Sequence, residues 1–484
     1  MTFTEFKRAL IEGKYLRKRK KEKIKKKKLR AKKSKRNRAE RDENIGTFFR
    51  KFYTKKLPVV ENRLMLTSFN GFYTCNPKYI AEYIIDNCIP IEMYWGSVKD
   101  GESAFPEEIN LVRKYSFDYF RAMATSKVWI DNALNCVWKS IPKKKEQIHI
   151  NTWHGSMGLK RISKENITDE NWLKRAEECG KSVDYCISDS DFETMVYRET
   201  YFENNEVLEY GHPRNDILFC NEKERAEIKK RVCDTLGVVK HDKHGKSKEN
   251  ISDIKMCLYA PTFRDSQSME FYNVNYDKLI EALKKKFGGE WKVLTKLHFH
   301  DRKAKVDMPD DPNVINATDY LDIQELMVAC DIGITDYSSW ICDFVLTGKP
   351  GFIFATDLEE FNTGRGLYYP LEETPFPIAT NNVELVYNII TFDSEKYSDE
   401  CKRFLKDRGC KEDGHAAERV VKLICEKMGI TQDMIDENRK KVTHERLVRK
   451  HRMEKEHIAF ESALNGELLD YTEEELENQE DGIL

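Results

Sequence analysis

The chain of 484 residues contains no run of about 18 uncharged apolar residues, so no transmembrane helix is expected. Its N-terminus lacks the apolar core and small-residue cleavage site of a secretory signal. The 13 Cys are scattered singly, without a CxxC pair, which argues against a zinc ribbon or a disulfide scaffold and for a reducing cytoplasm. Cys330 and Cys342 sit in apolar runs and read as small buried hydrophobes. No GxxxxGK followed by Ser or Thr occurs, so a Walker phosphate loop is excluded. Repeats with the periods of solenoids or propellers are absent as well. Net charge is also scarce, at -1 from 82 Lys+Arg and 83 Asp+Glu.

That balance conceals two parts. Residues 1–57 hold 24 basic and 6 acidic residues, a net of +18, leaving 58 basic and 77 acidic residues, a net of -19, in the remainder. A basic arm on an acidic body needs an explanation separate from the body's chemistry. With 40% hydrophobic and 11% aromatic residues the body can build sizeable cores, and the length suits two or three domains.

Residues 14–41, uninterrupted by Gly or Pro, read as a solvated basic helix, flanked by Phe3, Phe6, Leu10 and Ile11 before it and Phe48, Phe49 and Phe52 after it. From about residue 58, apolar runs alternate with amphipathic segments. Strands are predicted at 63–69, 91–98, 127–132, 146–155, 183–190 and 206–211, with helices such as 77–87 and 116–126 between them. A second unit follows helix 222–235 and the polar stretch 240–253. Its strands are predicted at 254–263, 291–300, 331–336 and 351–356, with helices at 276–287, 322–330 and 339–347. Alternation of this kind argues for α/β domains with parallel sheets, here over 58–235 and 236–395. Residues 396–484 read as helices followed by a tail whose last 18 residues carry eight acidic and no basic side chains. Two doubly wound domains facing each other place a cleft between the carboxyl ends of their sheets.

The chemistry-bearing residues cluster at those strand ends. His154, in Trp153-His154-Gly155, could take a proton from a hydroxyl, because imidazole titrates near physiological pH. Arg214 and Asp216, in "YGHPRND", could bind an anion, although an Arg–Asp clamp on a loop suits them better. Thr262, Arg264 and Asp265 end another strand, and Arg's planar fork suits phosphate or carboxylate. His298 and His300 share one strand face but no acid or Cys completes a metal set, so no metal is assigned and phosphate contact by His298 is preferred. Asp336, Ser338 and Ser339 join a strand to an apolar helix, where serine hydroxyls and free N–H groups favour phosphate. Arg365, in a Gly-flanked loop, could close over an anion.

Taken in order, "TWHGSMGLKRI", "GHPRNDIL", "LYAPTFRD", "LHFH", "DIQELMVACDIGITDYSSWICDF" and "GRGLYYPLEETPFP" resemble the CDP-glycerol glycerophosphotransferase family over about residues 60–425. The resemblance implies a GT-B fold and transfer of glycerol phosphate, or a related polyol phosphate, from its CDP carrier to a hydroxyl of a lipid-linked or polymeric acceptor, with release of CMP. It implies His154 as the base and Gly155 as part of its motif. His298 would lie near the donor pyrophosphate, with Ser338, Ser339 and Arg365 completing a phosphate cradle; the strand-end reading adds Thr262 and Arg264 to the donor-binding groups. No cofactor is implied. Two departures stand out: Ser156-Met157-Gly158 where many members have Thr-Pro, and His212 where another residue is usual, so His212 is given no catalytic role.

The arm suits an anionic membrane surface, with about 1 kcal/mol of attraction per Lys or Arg near the headgroups, and Phe48, Phe49 and Phe52 as shallow anchors. The expectation is therefore a peripheral enzyme at the cytoplasmic face of the cell membrane. Nucleic acid is disfavoured because no base-reading module accompanies the arm; contact with the protein's own acidic surface is the plainer alternative. The alternatives for the body are a GT-B glycosyltransferase using a nucleotide sugar and a non-enzymatic tether.

Overall fold

A computed structural model describes residues 41, 44–49, 56–97, 105–133, 141–157, 161–162, 170–239, 250–262, 273–297, 309–358, 361 and 366–446. Most of the basic arm, the stretch 240–249 and the acidic tail lie outside them.

The apolar run Leu64–Leu66 is fully buried, as expected of a strand covered on both faces. It forms the heart of β1 (Val60–Thr67), which pairs in parallel with β2 (Glu92–Ser97) and β4 (Ser126–Asp131). With β3 (Ile109–Arg113), β5 (Ile148–Asn151), β6 (Tyr185–Ile187) and β7 (Glu206–Leu208) they make a seven-stranded parallel sheet in the order β3-β2-β1-β4-β5-β6-β7. Its connecting helices are α1 (Cys75–Asp86), α2 (Phe117–Thr125), α3 (Glu170–Ser182) and α4 (Asp191–Arg198). Local chemistry sets their ends: the Ser116 hydroxyl caps α2 by accepting from Tyr119 N, and Ser190 caps α4 through Glu193 N.

A short 3-10 helix (Pro213–Phe219) and α5 (Glu222–Leu236) lead to the second unit. α5 opens on a reciprocal Asn221–Glu224 capping box and closes on left-handed Gly237. The second sheet comprises β8 (Ile254–Tyr259), β9 (Glu290–Thr295), β10 (Val314–Asn316), β11 (Ile332–Thr335), β12 (Gly351–Phe354) and β13 (Ile378–Ala379). All are parallel, in the order β10-β9-β8-β11-β12-β13. The helices α6 (Tyr276–Phe287), α7 (Ile323–Ala329), α8 (Trp340–Phe344), α9 (Asn382–Ile390) and α10 (Ser394–Asp407) belong to this unit. Two doubly wound parallel sheets are the GT-B arrangement expected from the sequence.

After α10 the chain returns to the first unit. Asp191 N and Phe192 N donate to the carbonyls of Gly409 and Arg408, and Lys411 N donates to Asp189 O. Gly409 (φ +64°) permits this crossing, because a Cβ there would stand 2.0 Å from Asp191 Oδ2. The helix α11 (Ala416–Met428) then buries Val420, Val421 and Ile424 in one apolar cluster with Leu64 and Val128 of the first sheet and Ile84 of α1. Charged groups are also buried where the units meet: Lys78 of α1 lies 2.5 Å from Asp322 and 3.1 Å from Glu325 at the start of α7, and Tyr79 donates to Asp322.

One expectation is corrected here. The sequence suggests Phe49 as a shallow membrane anchor, but it is 0% exposed and packs against Phe117 and Phe120 in a cluster with Met65, Tyr119 and Trp129. The helical turn at 44–49 therefore fastens the arm to the first unit. Phe48 is 42% exposed, and Phe52 lies outside the described residues. Among the described residues no helix is long and apolar enough to cross a membrane.

Candidate active site

In each sheet the strand order reverses once, between β1 and β4 and between β8 and β11. A parallel sheet opens a ligand crevice at such a point, outside its carboxyl ends. The predicted site residues lie at these two places.

At the first, Asn132 follows β4 and Phe69 follows β1, with Phe69 N donating to Asn132 Oδ1. The turn after β5 is held by buried amides. Asn151 Oδ1 accepts from Trp153 N, Asn76 Nδ2 donates to the carbonyls of Thr152 and Trp153, and Thr152 N donates to Asp131 O. They secure a strained backbone, for Trp153 and Met157 adopt φ of +48° and +39°. Strain of this kind, on the order of 1–3 kcal/mol per residue, persists where surrounding contacts over-determine it.

His154 projects from this turn, exposed, with the rings of Trp153 and Phe69 at 4.8 and 5.5 Å. Its Nδ1 is 2.6 Å from the Asn132 carbonyl oxygen. A carbonyl can only accept, so Nδ1 carries the proton and Nε2 presents the lone pair. That tautomer is the one a general base requires.

Beneath the turn lies a buried network that sequence reasoning missed. Asp189 Oδ2 accepts from the Ser156 hydroxyl (2.6 Å) and Met157 N (3.2 Å), while Glu193 Oε2 accepts from Asp189 N. His212 Nε2 is 2.9 Å from Glu193 Oε2 and 3.8 Å from Asp189 Oδ2, with all three side chains buried. Burial pushes the carboxyls of Asp189 and Glu193 up to about 7 and the His212 imidazole down to about 4. Burial likewise holds the Glu412 carboxyl well above its ordinary range. The ligand-type atoms of Asp189, Glu193 and His212 are close enough to share a cation. Their oxygens are nonetheless committed to Ser156, Met157 and the Asp189 backbone, which makes the trio a scaffold behind the His154 turn.

At the second crevice, Asp336 Oδ1 accepts from Thr262 N (2.8 Å) and from Tyr337 N (2.5 Å), tying the end of β8 to the loop after β11. Trp340 Nε1 and the Thr335 hydroxyl both donate to Ala260 O. Ser338 and Ser339 stand half-buried at the entrance to α8, and among the described residues neither hydroxyl has a hydrogen-bond partner. The loop thus presents two hydroxyls at the head of a helix, the donor set an anion prefers.

Arg214 lies between the two places. It is a clamp, but its partner is Asp343 of α8 rather than Asp216: Nε and Nη2 donate to the two Asp343 oxygens at 3.1 and 3.3 Å. Nη2 also donates to the Gly155 carbonyl at 2.5 Å. Asp216 instead accepts from Ala416 N and Ala417 N, capping α11. His298, Arg264, Asp265 and Arg365 lie outside the described residues. Of the groups the sequence reading overlooked, Asp343 had a visible signal, an acid inside the apolar helix "WICDF" that requires a buried partner. Asn76 and Asn132 offered none.

Comparison with known proteins gives a consistent picture. The family described as CDP-Glycerol:Poly(glycerophosphate) glycerophosphotransferase matches residues 48–426. The teichoic acid poly(glycerol phosphate) polymerase of Bacillus subtilis (strain 168) is 29% identical over 355 residues, covering 71% of this chain and 45% of the relative. The teichoic acid glycerol-phosphate transferase of Staphylococcus aureus is 28% identical over 387 residues, covering 76% of this chain and 94% of the relative. The chain therefore spans about half of the first relative and nearly all of the second. Among solved structures, the wall teichoic acid polymerase TagF, in a crystal soaked with CDPG, superposes with a TM-score of 0.69 at 25% identity, covering 82% of this chain and 96% of that one.

Proposed function

The chain belongs to the CDP-glycerol:poly(glycerophosphate) glycerophosphotransferase family, and from that premise we propose that it transfers glycerol phosphate from CDP-glycerol to a hydroxyl of a lipid-linked or polymeric acceptor in teichoic-acid-like synthesis. His154 Nε2 takes the proton of the acceptor hydroxyl. The freed oxygen attacks the β-phosphorus, a new P–O bond forms, the P–O bond to CMP breaks, and CMP leaves with that electron pair. Ser338, Ser339 and Thr262, with His298, Arg264 and Arg365, supply donors to the pyrophosphate. The observation that carries this reading is the 2.6 Å contact between His154 Nδ1 and Asn132 O, which leaves the basic nitrogen on Nε2.

The test is CMP release by purified protein offered CDP-glycerol, CDP-ribitol or nucleotide sugars with a glycerol-phosphate-primed acceptor. Release from CDP-glycerol is expected, with a loss of about 10²–10⁴-fold in His154→Ala and an unchanged melting temperature. Near-normal turnover by a folded His154→Ala protein would remove His154 as base, whereas nucleotide release from a sugar donor alone would replace the donor class. The basic arm, rooted by Phe49, holds the enzyme against anionic headgroups at the cytoplasmic face, where a lipid-linked acceptor is presented. Removing residues 1–40 should abolish cosedimentation with phosphatidylglycerol vesicles and spare turnover on a soluble acceptor.

A further inference from the structure

We propose that Arg214 is a positioning residue that sets the separation between the base and the donor cradle. This rests on His154 acting as base. The guanidinium spans the two units: on one side it holds the carbonyl of Gly155, the residue after His154, and on the other both oxygens of Asp343, four residues after Ser339. The ion-paired end is dry, with Arg214 and Asp343 side chains 3% and 4% exposed.

Arg214 is itself fixed by the groups it aligns. Its backbone N donates to Asn76 Oδ1, and the Nδ2 of that same Asn76 holds the carbonyls of Thr152 and Trp153 in the His154 turn. The next residue, Asn215, donates from Nδ2 to Asp343 Oδ1 and to Glu412 Oε1. An unbroken path of hydrogen bonds therefore runs from the His154 turn through Arg214 to Asp343 in α8, the helix that follows the Ser338-Ser339 loop. Stability alone does not call for such a pair, since a buried ion pair roughly breaks even against apolar side chains of equal volume. What the planar fork supplies is geometry: three directed bonds from one rigid group, which a lysine ammonium on a flexible stem does not reproduce. In-line transfer needs the base and the phosphorus in register, and a misplacement of about 1 Å costs about 10²-fold.

The experiment uses the full chain and CMP release from CDP-glycerol. Arg214→Gln combined with Asp343→Asn removes both charges together, leaving no orphaned buried ion. The expected result is a fall in kcat of about 10²-fold, with the KM for CDP-glycerol and the melting temperature little changed, and partial recovery in Arg214→Lys with Asp343 intact. The same pair is then placed in the His154→Ala background, where it should cause little further loss, because Arg214 acts through the base. A near-normal kcat in the paired variant, or an equal additional loss without His154, would overturn the proposal. A KM effect alone would assign Arg214 to donor binding and overturn it equally. Should the paired variant not fold, Arg214→Lys alone decides by the same split between kcat and KM. Failure of the base reading is seen separately, as activity retained by His154→Ala alone.

Discussion

Replacing Glu193 by Gln should make the protein progressively more stable than the wild type as pH rises from about 5 to about 7. Burial lifts the Glu193 carboxyl from 4.5 to about 7, so the folded protein holds a proton there that the unfolded chain releases. A raised carboxyl contributes stability that is complete below its unfolded value and lost as pH climbs through the folded one. The loss is about 1 kcal/mol per pH unit, hence roughly 2–3 kcal/mol across that window. Gln is neutral throughout and keeps the backbone contact, since its carbonyl oxygen can stand where Glu193 Oε2 does, accepting from Asp189 N beside His212 Nε2. His212 runs in the opposite sense, because burial pushes it from 6.5 down to about 4, so its contribution is present above 6.5 and lost as pH falls through 4. His212 titrates in both proteins, so the difference between their profiles follows Glu193 together with the Asp189 carboxyl that Glu193 helps raise. Urea unfolding at a series of pH values measures it directly. Parallel stability profiles would refute the reasoning, because they would mean that Glu193 is already ionised at the acid end and paired with a charged His212.

Lys78→Met should cost about 3–5 kcal/mol in urea unfolding, because it leaves Asp322 buried without a cation and Glu325 with Arg231 alone; a cost below about 1 kcal/mol would show that the Lys78 contacts contribute no more than a surface pair. Gly180→Ala, which would favour an exposed helix by about 1 kcal/mol, should destabilise here by at least 1–3 kcal/mol, since the new Cβ would lie 2.1 Å from the Tyr201 carbonyl oxygen; a raised melting temperature would contradict that packing. Phe49→Ala should empty a fully buried ring site and cost about 3 kcal/mol or more, with hydrogen exchange rising at 44–49; unaltered exchange would place the root of the arm elsewhere.

The extent to which the structure could be read from the chain follows from element length and from whether a partner is local. Helix 276–287 emerges at the expected bounds, because 12 residues carry a full amphipathic period between Asn275 and Gly288. Strands β10 and β13, of three and two residues, are too short to show any period, and edge strand β3 keeps only two of its five residues buried. The site divides in the same way. His154, Thr262, Ser338 and Ser339 could be found because a parallel sheet exposes chemistry at its carboxyl ends, and each follows such an end. Partners could not be found. Arg214 pairs with Asp343, 129 positions away, and not with Asp216 two positions on, and nothing short of the fold brings those groups together.

The same division explains why the groups around His154 that escaped the sequence reading are the ones that hold it. Cys75, Trp153 and Met157 all adopt positive φ without being glycine, and all three belong to segments converging on the first crevice. Such backbone is unfavourable in an isolated loop. It becomes tolerable because Asn76, Asn151, Asp189 and Arg214 satisfy the backbone groups that the turn would otherwise strand in the interior. An ordinary relaxed turn would leave the imidazole free to rotate between tautomers and orientations. The strained one, closed from below, fixes the ring against the Asn132 carbonyl and determines which nitrogen is basic. In the proposed function, a hydroxyl acceptor would then meet a base that needs no rearrangement, so that stored strain would lower the cost of reaching the transition state.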